Sequence, residues 1–196
     1  MKTRTDLINF FIKTFNYETY LEIGLAKGNN FINVKCSNKE AIDPNTTYFS
    51  RCYDYGILHE ITSDKFFESI DAGKKWDLIF VDGLHEKKQV KKDIENSLLH
   101  LNENGTIVCH DVNPREELLL AKNLCWNAWE VFAELRCTRP DLEIHGVQFD
   151  HTGFIRLGKQ NLFEISKLEY NWQFLNSNRQ ELMQELTNEQ LISKYT

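Results

Sequence analysis

The chain begins with apolar residues at helical spacing: Leu7, Phe11 and Phe15, with Ile8 and Ile12 beside them. This predicts a leading helix over 5–15 with one apolar face. The period then changes. "TYLEIG" has strand composition and stops at Gly24, while Phe31, Ile32 and Val34 fit the apolar side of a short helix. "EAIDP" reads as a second brief strand ended by Asp43-Pro44, and "GILHEI" as a third. A short helix follows in "TSDKFFESI", with Ser63 or Asp64 as its cap.

In "DLIFVDGLHE", residues 77–86, Leu78 to Val81 form an unbroken apolar run. No polar residue alternates with it, which predicts a strand buried on both faces, as in a parallel sheet covered by helices. A helix over about 86–101 follows, with Val90, Ile94, Leu98 and Leu101 in one stripe. "NENG" predicts a turn through Gly105, and "TIVCHD" another buried strand. Leu118 to Leu135 reads as a helix carrying Trp126 and Trp129. "DLEIHGVQFD" and "TGFIRLG" predict two closing strands joined by a tight turn at "DHTG". They must be antiparallel to each other, because a parallel pair needs a long crossover. From Asn161 the pattern is helical again, through Leu168, Trp172, Leu175, Leu182 and Leu186.

Strands alternating with helices predict an α/β fold: a Rossmann-like open sheet, mostly parallel, with an antiparallel C-terminal strand and helices on both faces. There is no repeat, low-complexity tract or linker. The reading is one domain over 1–158, including the leading helix, and a C-terminal helical extension over 159–196 packed on it. The apolar stripe of that extension would also suit a homodimer surface.

Composition narrows the partners. Acids outnumber bases, 29 to 23, for a net charge of −6. That argues against a nonspecific nucleic-acid binder and favours a small-molecule or protein partner. The five cysteines are scattered and form no C-x-x-C, so reduced thiols in the cytoplasm are expected. The N-terminal stretch lacks the apolar region of a signal peptide, and no run approaches the ~18 apolar residues of a membrane span.

In open α/β sheets ligands bind beyond the carboxyl ends of the strands. Five such ends carry candidate chemistry. In "LEIGLAKGNN", Glu22, Gly24, Ala26 and Gly28 space small residues so that a ligand can approach the backbone, though an ordinary strand-to-helix turn has the same pattern. A dinucleotide fingerprint fits poorly, since Asn29 falls where its third glycine belongs. Asp43, closing the second strand, is placed to accept from ribose hydroxyls or simply to start a turn. Asp64 is a helix cap or a contact to an adenine amino group. Asp82-Gly83-Leu84-His85 and "CHDVNP", with His110, Asp111 and Asn113, end two strongly apolar strands. Asp82 and Asp111 suit a hard divalent cation such as Mg²⁺, and His85 suits proton abstraction from a hydroxyl. A cap and a turn are the alternatives.

At these residues, roughly Tyr20 to Gly158, the chain resembles class I S-adenosylmethionine-dependent methyltransferases. It is most similar to a bacterial group associated with glycan and secondary-metabolite pathways, which shares "VDG-x-H", "HD-x-N-P" and a Trp-bearing helix before "LR-x-TRPDLE", here "WNAWEVFAELRCTRPDLE". The resemblance implies S-adenosylmethionine as cofactor, with Glu22, Gly24, Ala26 and Gly28 around its methionine end, Asp43 on the ribose, Asp64 on the adenine side, and Asp82 at the cofactor as well. More distantly similar metal-dependent macrolide sugar O-methyltransferases imply Asp82 and Asp111 as Mg²⁺ ligands, His85 as base and a hydroxylated, sugar-like small molecule as acceptor. An acid commonly precedes the second aspartate in those enzymes. Here it is His110, which would suit a softer divalent metal or none. Two other functions share the fold: a non-catalytic binding module and a nicotinamide-dependent oxidoreductase.

Overall fold

A computed structural model describes residues 1–45 and 47–196. The leading helix α1 (Arg4–Phe15) starts in a capping box between Thr3 and Asp6 and ends at Asn16 in the left-handed region. It buries Leu7, Ile8, Phe11 and Ile12, the stripe expected from their spacing. Then come β1 (Thr19–Ile23), α2 (Asn29–Asn33), β2 (Asn38–Ile42), β3 (Ile57–His59), α3 (Ser63–Ser69), β4 (Trp76–Val81), α4 (Lys87–Leu99) and β5 (Leu101–Cys109). The chain closes with α5 (Trp129–Thr138), β6 (Leu142–Gly146), β7 (Gly153–Leu157), α6 (Trp172–Met183) and α7 (Asn188–Tyr195).

The seven strands form one sheet in the order β3-β2-β1-β4-β5-β7-β6. β1 to β5 pair in parallel, and β7 runs antiparallel to both β5 and β6. A Rossmann-like α/β sheet with an antiparallel C-terminal strand is thus the fold. The apolar runs are unbroken because both faces are covered. Ile79 and Val81 face one core cluster with α4 and α5, while Leu78 and Phe80 face the other with α1 and α2. The C-terminal helices add Leu175, Leu182 and Met183 to the first cluster and Leu191 to the second. Among the described residues, no helix is long and apolar enough to cross a membrane.

Several local expectations are corrected. Thr62, not Ser63 or Asp64, caps α3, its hydroxyl accepting from the Lys65 amide. "NENG" is no turn between elements: it lies inside β5, where the register with β4 shifts between Trp76 and Leu78. Leu101 belongs to that strand, opposite Trp76, rather than to the helix stripe. The helix expected from Leu118 is a short 3-10 turn, Glu117–Leu120, and α5 begins at Trp129. Leu118 is 73% exposed, and only Leu120 of that turn packs on the core, too little apolar surface to hold a helix there. Asn127 instead turns its side chain to the Lys87 amide at 2.8 Å, capping α4, which has no cap of its own. Residues 161–171 hold another short 3-10 turn, and the tail becomes α-helical at Trp172. The expected tight turn at "DHTG" is present, with Asp150 and His151 both at positive φ and the Thr152 amide donating to Phe149 O at 3.3 Å.

Candidate functional site

The sheet reverses its winding between β1 and β4. Both strands carry on into the ligand edge through backbone bonds: the Asp82 amide donates to Ile23 O at 2.8 Å and the His110 amide to Val81 O at 3.0 Å. Gly24 donates to Ile42 O at 2.9 Å in the same way. Gly24, Asp82 and His110 therefore stand side by side at the topological switch point, where such sheets bind ligands. A cavity of about 740 Å³ opens there.

Its lining includes Gly24, Ala26, Asp43, Asp64, Asp82, His85, His110 and Asp111. Most of the candidate residues, from five separate strand ends, thus come together. Glu22 and Gly28 do not line it. Gly28, at φ +73, begins α2, and a side chain there would run into the Cys52 sulfur. Gly24, at φ +90, packs against the Asp82 carbonyl, where a Cβ has no room. Ala26 also holds a positive φ, +46.

Glu22 is 1% exposed and accepts from the Tyr20 hydroxyl at 2.5 Å and from Asn30 Nδ2 at 2.8 Å. Burial pushes its carboxyl up to about 8, against the lowering by those two bonds. Asp43 serves the loop, one oxygen accepting from the Leu25 amide at 2.8 Å and the other from the Asn45 amide. Asp64 accepts from Gln89 at 2.9 Å and pairs with Lys92 at 2.7 Å, which together lower its pKa. Asn113 is fully buried and binds Val147 O and Glu185, outside the cavity lining.

At the far end Asp82, His85 and Asp111 face one another. His85 Nδ1 is 2.5 Å from Leu124 O and 3.1 Å from Asp111 Oδ2, and Nε2 is 3.6 Å from Asp82 Oδ1. Hydrogen bonding to Asp82 raises the imidazole pKa, in spite of burial. Burial is the largest effect on the Asp82 and Asp111 carboxyls and would raise both, but His110 and His85, with Arg4 at Asp82 and Cys125 at Asp111, together hold both low. The Cys125 thiol also donates to Asp111, at 3.0 Å. His110 lies between the two aspartates: its buried Nδ1 is 3.3 Å from Asp82 and 3.2 Å from Asp111, without a well-directed hydrogen bond to either. Burial disfavours its cation, yet Asp111, Asp150 and Asp82 together raise its pKa. Potential ligand atoms of Asp82, His85 and Asp111 all lie within 4.8 Å of one another, a spacing that fits a single divalent cation.

Three contributors were not foreseen. Asp93, 1% exposed on α4, lines the cavity with Gln89 as its donor at 3.1 Å, and burial raises its pKa. Its signal was present, for it lies three residues past Val90 on the inward stripe. Arg4 of α1 and Asp150 of the last turn reach the site from distant parts of the chain. No local pattern marks either.

Comparison with known proteins agrees with this layout. Residues 21–112, just under half of the chain, match the family described as a methyltransferase domain. No curated protein matches the chain in sequence. Among solved structures, the O-methyltransferase TomG from Streptomyces achromogenes, in complex with SAM, is 14% identical with a TM-score of 0.62, over 79% of each chain. An O-methyltransferase from Bacillus cereus, in complex with SAH, is 16% identical with a TM-score of 0.61, over 78% of each chain. The N-methyltransferase NodS from Bradyrhizobium japonicum is 16% identical with a TM-score of 0.53, over 80% of this chain and 94% of its own. Such distant likeness establishes the fold, and that fold serves transfer to oxygen and to nitrogen alike.

Proposed function

We propose that this protein, whose residues 21–112 match the methyltransferase-domain family, is an S-adenosylmethionine-dependent O-methyltransferase of a small hydroxylated, sugar-like molecule, acting in the cytoplasm. One observation carries the reading. A single cavity joins the glycine loop and Asp43 at one end to His85, Asp82 and Asp111 at the other. The relatives crystallised with SAM or SAH have the same fold.

The lining and charge of the cavity support the reading. Gly24 keeps the loop close to β4, Asp43 has lone pairs left for ribose hydroxyls, and Asp64 and Asp93 lie on the adenine side. When bound, S-adenosylmethionine supplies an electrophilic methyl group on a sulfonium. The aspartate-rich lining favours that cation over a polyphosphate or a nucleic-acid backbone.

His85 is the proposed base. Leu124 O can only accept, so Nδ1 carries the hydrogen and Nε2 presents its lone pair. An acceptor hydroxyl at Nε2 gives up its proton there, and Asp82 and Asp111 stabilise the resulting imidazolium. This favours oxygen over an amine, which needs less help in losing a proton. Holding donor and acceptor in line supplies the remaining rate advantage. Asp82 and Asp111 would hold Mg²⁺ or another divalent cation, which lowers the pKa of a bound hydroxyl; His110 already lies against both carboxylates and would compete with it.

Calorimetric titration with S-adenosylmethionine and S-adenosylhomocysteine tests the proposal. Binding of both is expected, and no binding of either at millimolar concentration would sink it.

A further inference from the structure

The charge balance of the cavity is one-sided. Asp43, Asp64, Asp82, Asp93 and Asp111 line it, and Arg4 is the one permanently cationic side chain among its described lining residues. Arg4 is the first residue of α1. Its amide donates to Asp150 Oδ2 at 2.7 Å, which ties the start of the helix to the turn between β6 and β7. Its Nη1 lies 2.7 Å from His110 Nε2, which accepts from it only in the neutral imidazole, and 3.6 Å from Asp150 Oδ2, while its Nε is 3.8 Å from Asp82 Oδ2. No other N–H of the guanidinium has an acceptor within hydrogen-bonding distance among the described residues, and the side chain keeps 32% exposure. A guanidinium fork with free donors, open to a cavity, is matched by a carboxylate.

Strand order sets which part of a ligand meets it. Asp43 follows β2 and Asp64 lies past β3, whereas Gly24, Asp82 and His110 follow β1, β4 and β5. An adenosine held by Asp43 and the α3 end therefore directs its 5′ substituent across β1 toward Asp82 and Arg4. In S-adenosylmethionine that substituent ends in an ammonium and a carboxylate. Asp82 can take the ammonium, but a carboxylate among five aspartates needs a cation.

We infer that Arg4 binds the α-carboxylate of the cofactor's methionine, which makes the N-terminal helix part of the cofactor site. The assignment rests on the methyltransferase reading above. It also accounts for a helix that precedes the matched domain yet reaches the switch point.

The test is calorimetric titration of the wild type, Arg4→Gln and Arg4→Lys with two ligands. S-adenosylhomocysteine carries the amino-acid group and 5′-methylthioadenosine lacks it. Arg4→Gln is expected to weaken S-adenosylhomocysteine about 10- to 100-fold, the scale of a charged hydrogen bond, with Arg4→Lys in between. Affinity for methylthioadenosine should stay within about twofold, since that ligand leaves out the group Arg4 contacts. Equal weakening of both ligands, or of neither, overturns the assignment alone. Should Arg4→Gln unfold, the wild type decides. It should bind the decarboxylated analogue of S-adenosylhomocysteine at least about 10-fold more weakly than the parent, and equal affinity overturns the assignment. A wild type that binds no adenosyl compound overturns the methyltransferase reading, and the Arg4 assignment with it.

Discussion

His85 Nδ1 lies 2.5 Å from the carbonyl oxygen of Leu124, so an irregular loop 39 residues downstream sets which imidazole nitrogen is basic. Replacing His85 by Ala should lower the methyl-transfer rate by about 10²- to 10⁴-fold, the usual share of a general base. Affinity for S-adenosylhomocysteine should hold, because the imidazole sits at the acceptor end. Single-turnover transfer and calorimetry on the same variant separate the two. Parallel loss of both would mean a structural role.

Gly24 is the least replaceable residue of the loop. Its φ of +90 and the Asp82 carbonyl facing its α-carbon leave no room for a methyl group. Gly24→Ala should cost about 2 kcal/mol or more of stability, and S-adenosylhomocysteine should no longer raise the melting temperature. Ala26→Gly is the contrasting change: relieving a left-handed alanine offsets the added freedom of the unfolded chain, so the shift should stay within about 1 kcal/mol. Denaturant unfolding of the two variants measures both.

Glu22 makes stability depend on pH. Its carboxyl has a folded pKa of about 8 against an ordinary value of 4.5. The folded state therefore keeps a proton that the unfolded state has lost. The associated stability is full below about pH 4.5 and falls as pH rises through about 8. Glu22→Gln keeps an uncharged side chain at every pH, so the variant should melt higher than the wild type at pH 8 and show a flatter profile over this range. A variant whose melting temperature tracks the wild type from pH 5 to pH 9 would contradict this.

Arg136 should anchor the C-terminal segment. It is buried on α5 and donates through Nε to Leu182 O at 2.9 Å and through Nη1 to Asn161 O at 3.0 Å. We propose that residues 159–196 thereby form one folding unit with the preceding domain. Arg136→Ala leaves those carbonyls without a donor and opens a gap, at a cost of about 2–4 kcal/mol. Limited proteolysis should then cut within 159–171 first. An unchanged cleavage pattern would argue that apolar packing of Leu175 and Leu182 is sufficient.

Much of the scaffold was legible because its signals are local and redundant. Leu78 to Val81 had to be a strand covered on both sides, and Leu7 to Ile12 a one-faced helix, since both patterns repeat at the period of the element. The stretch from Leu118 to Trp126 was misread for the opposite reason. Its apolar residues have helical spacing, but Leu118 faces solvent while Leu120 and Cys125 turn inward from an irregular backbone, and Asn127 is drawn to the start of α4. "NENG" looked like a turn because glycine and asparagine favour turns, whereas the neighbouring strand β4 holds it in a bulged strand.

The amino-acid order alone determined the strand ends, and with them Gly24, Asp43, Asp82, His85 and Asp111 as residues at one edge, because an apolar run that stops on a carboxylate marks where a strand leaves the core. Only the tertiary structure decided what surrounds them. Burial turned Glu22 inward to Tyr20 and Asn30, and folding across the sheet brought Arg4, Asp150 and Leu124 to a site far from them in the chain. Those contacts depend on packing between elements, which no local period encodes.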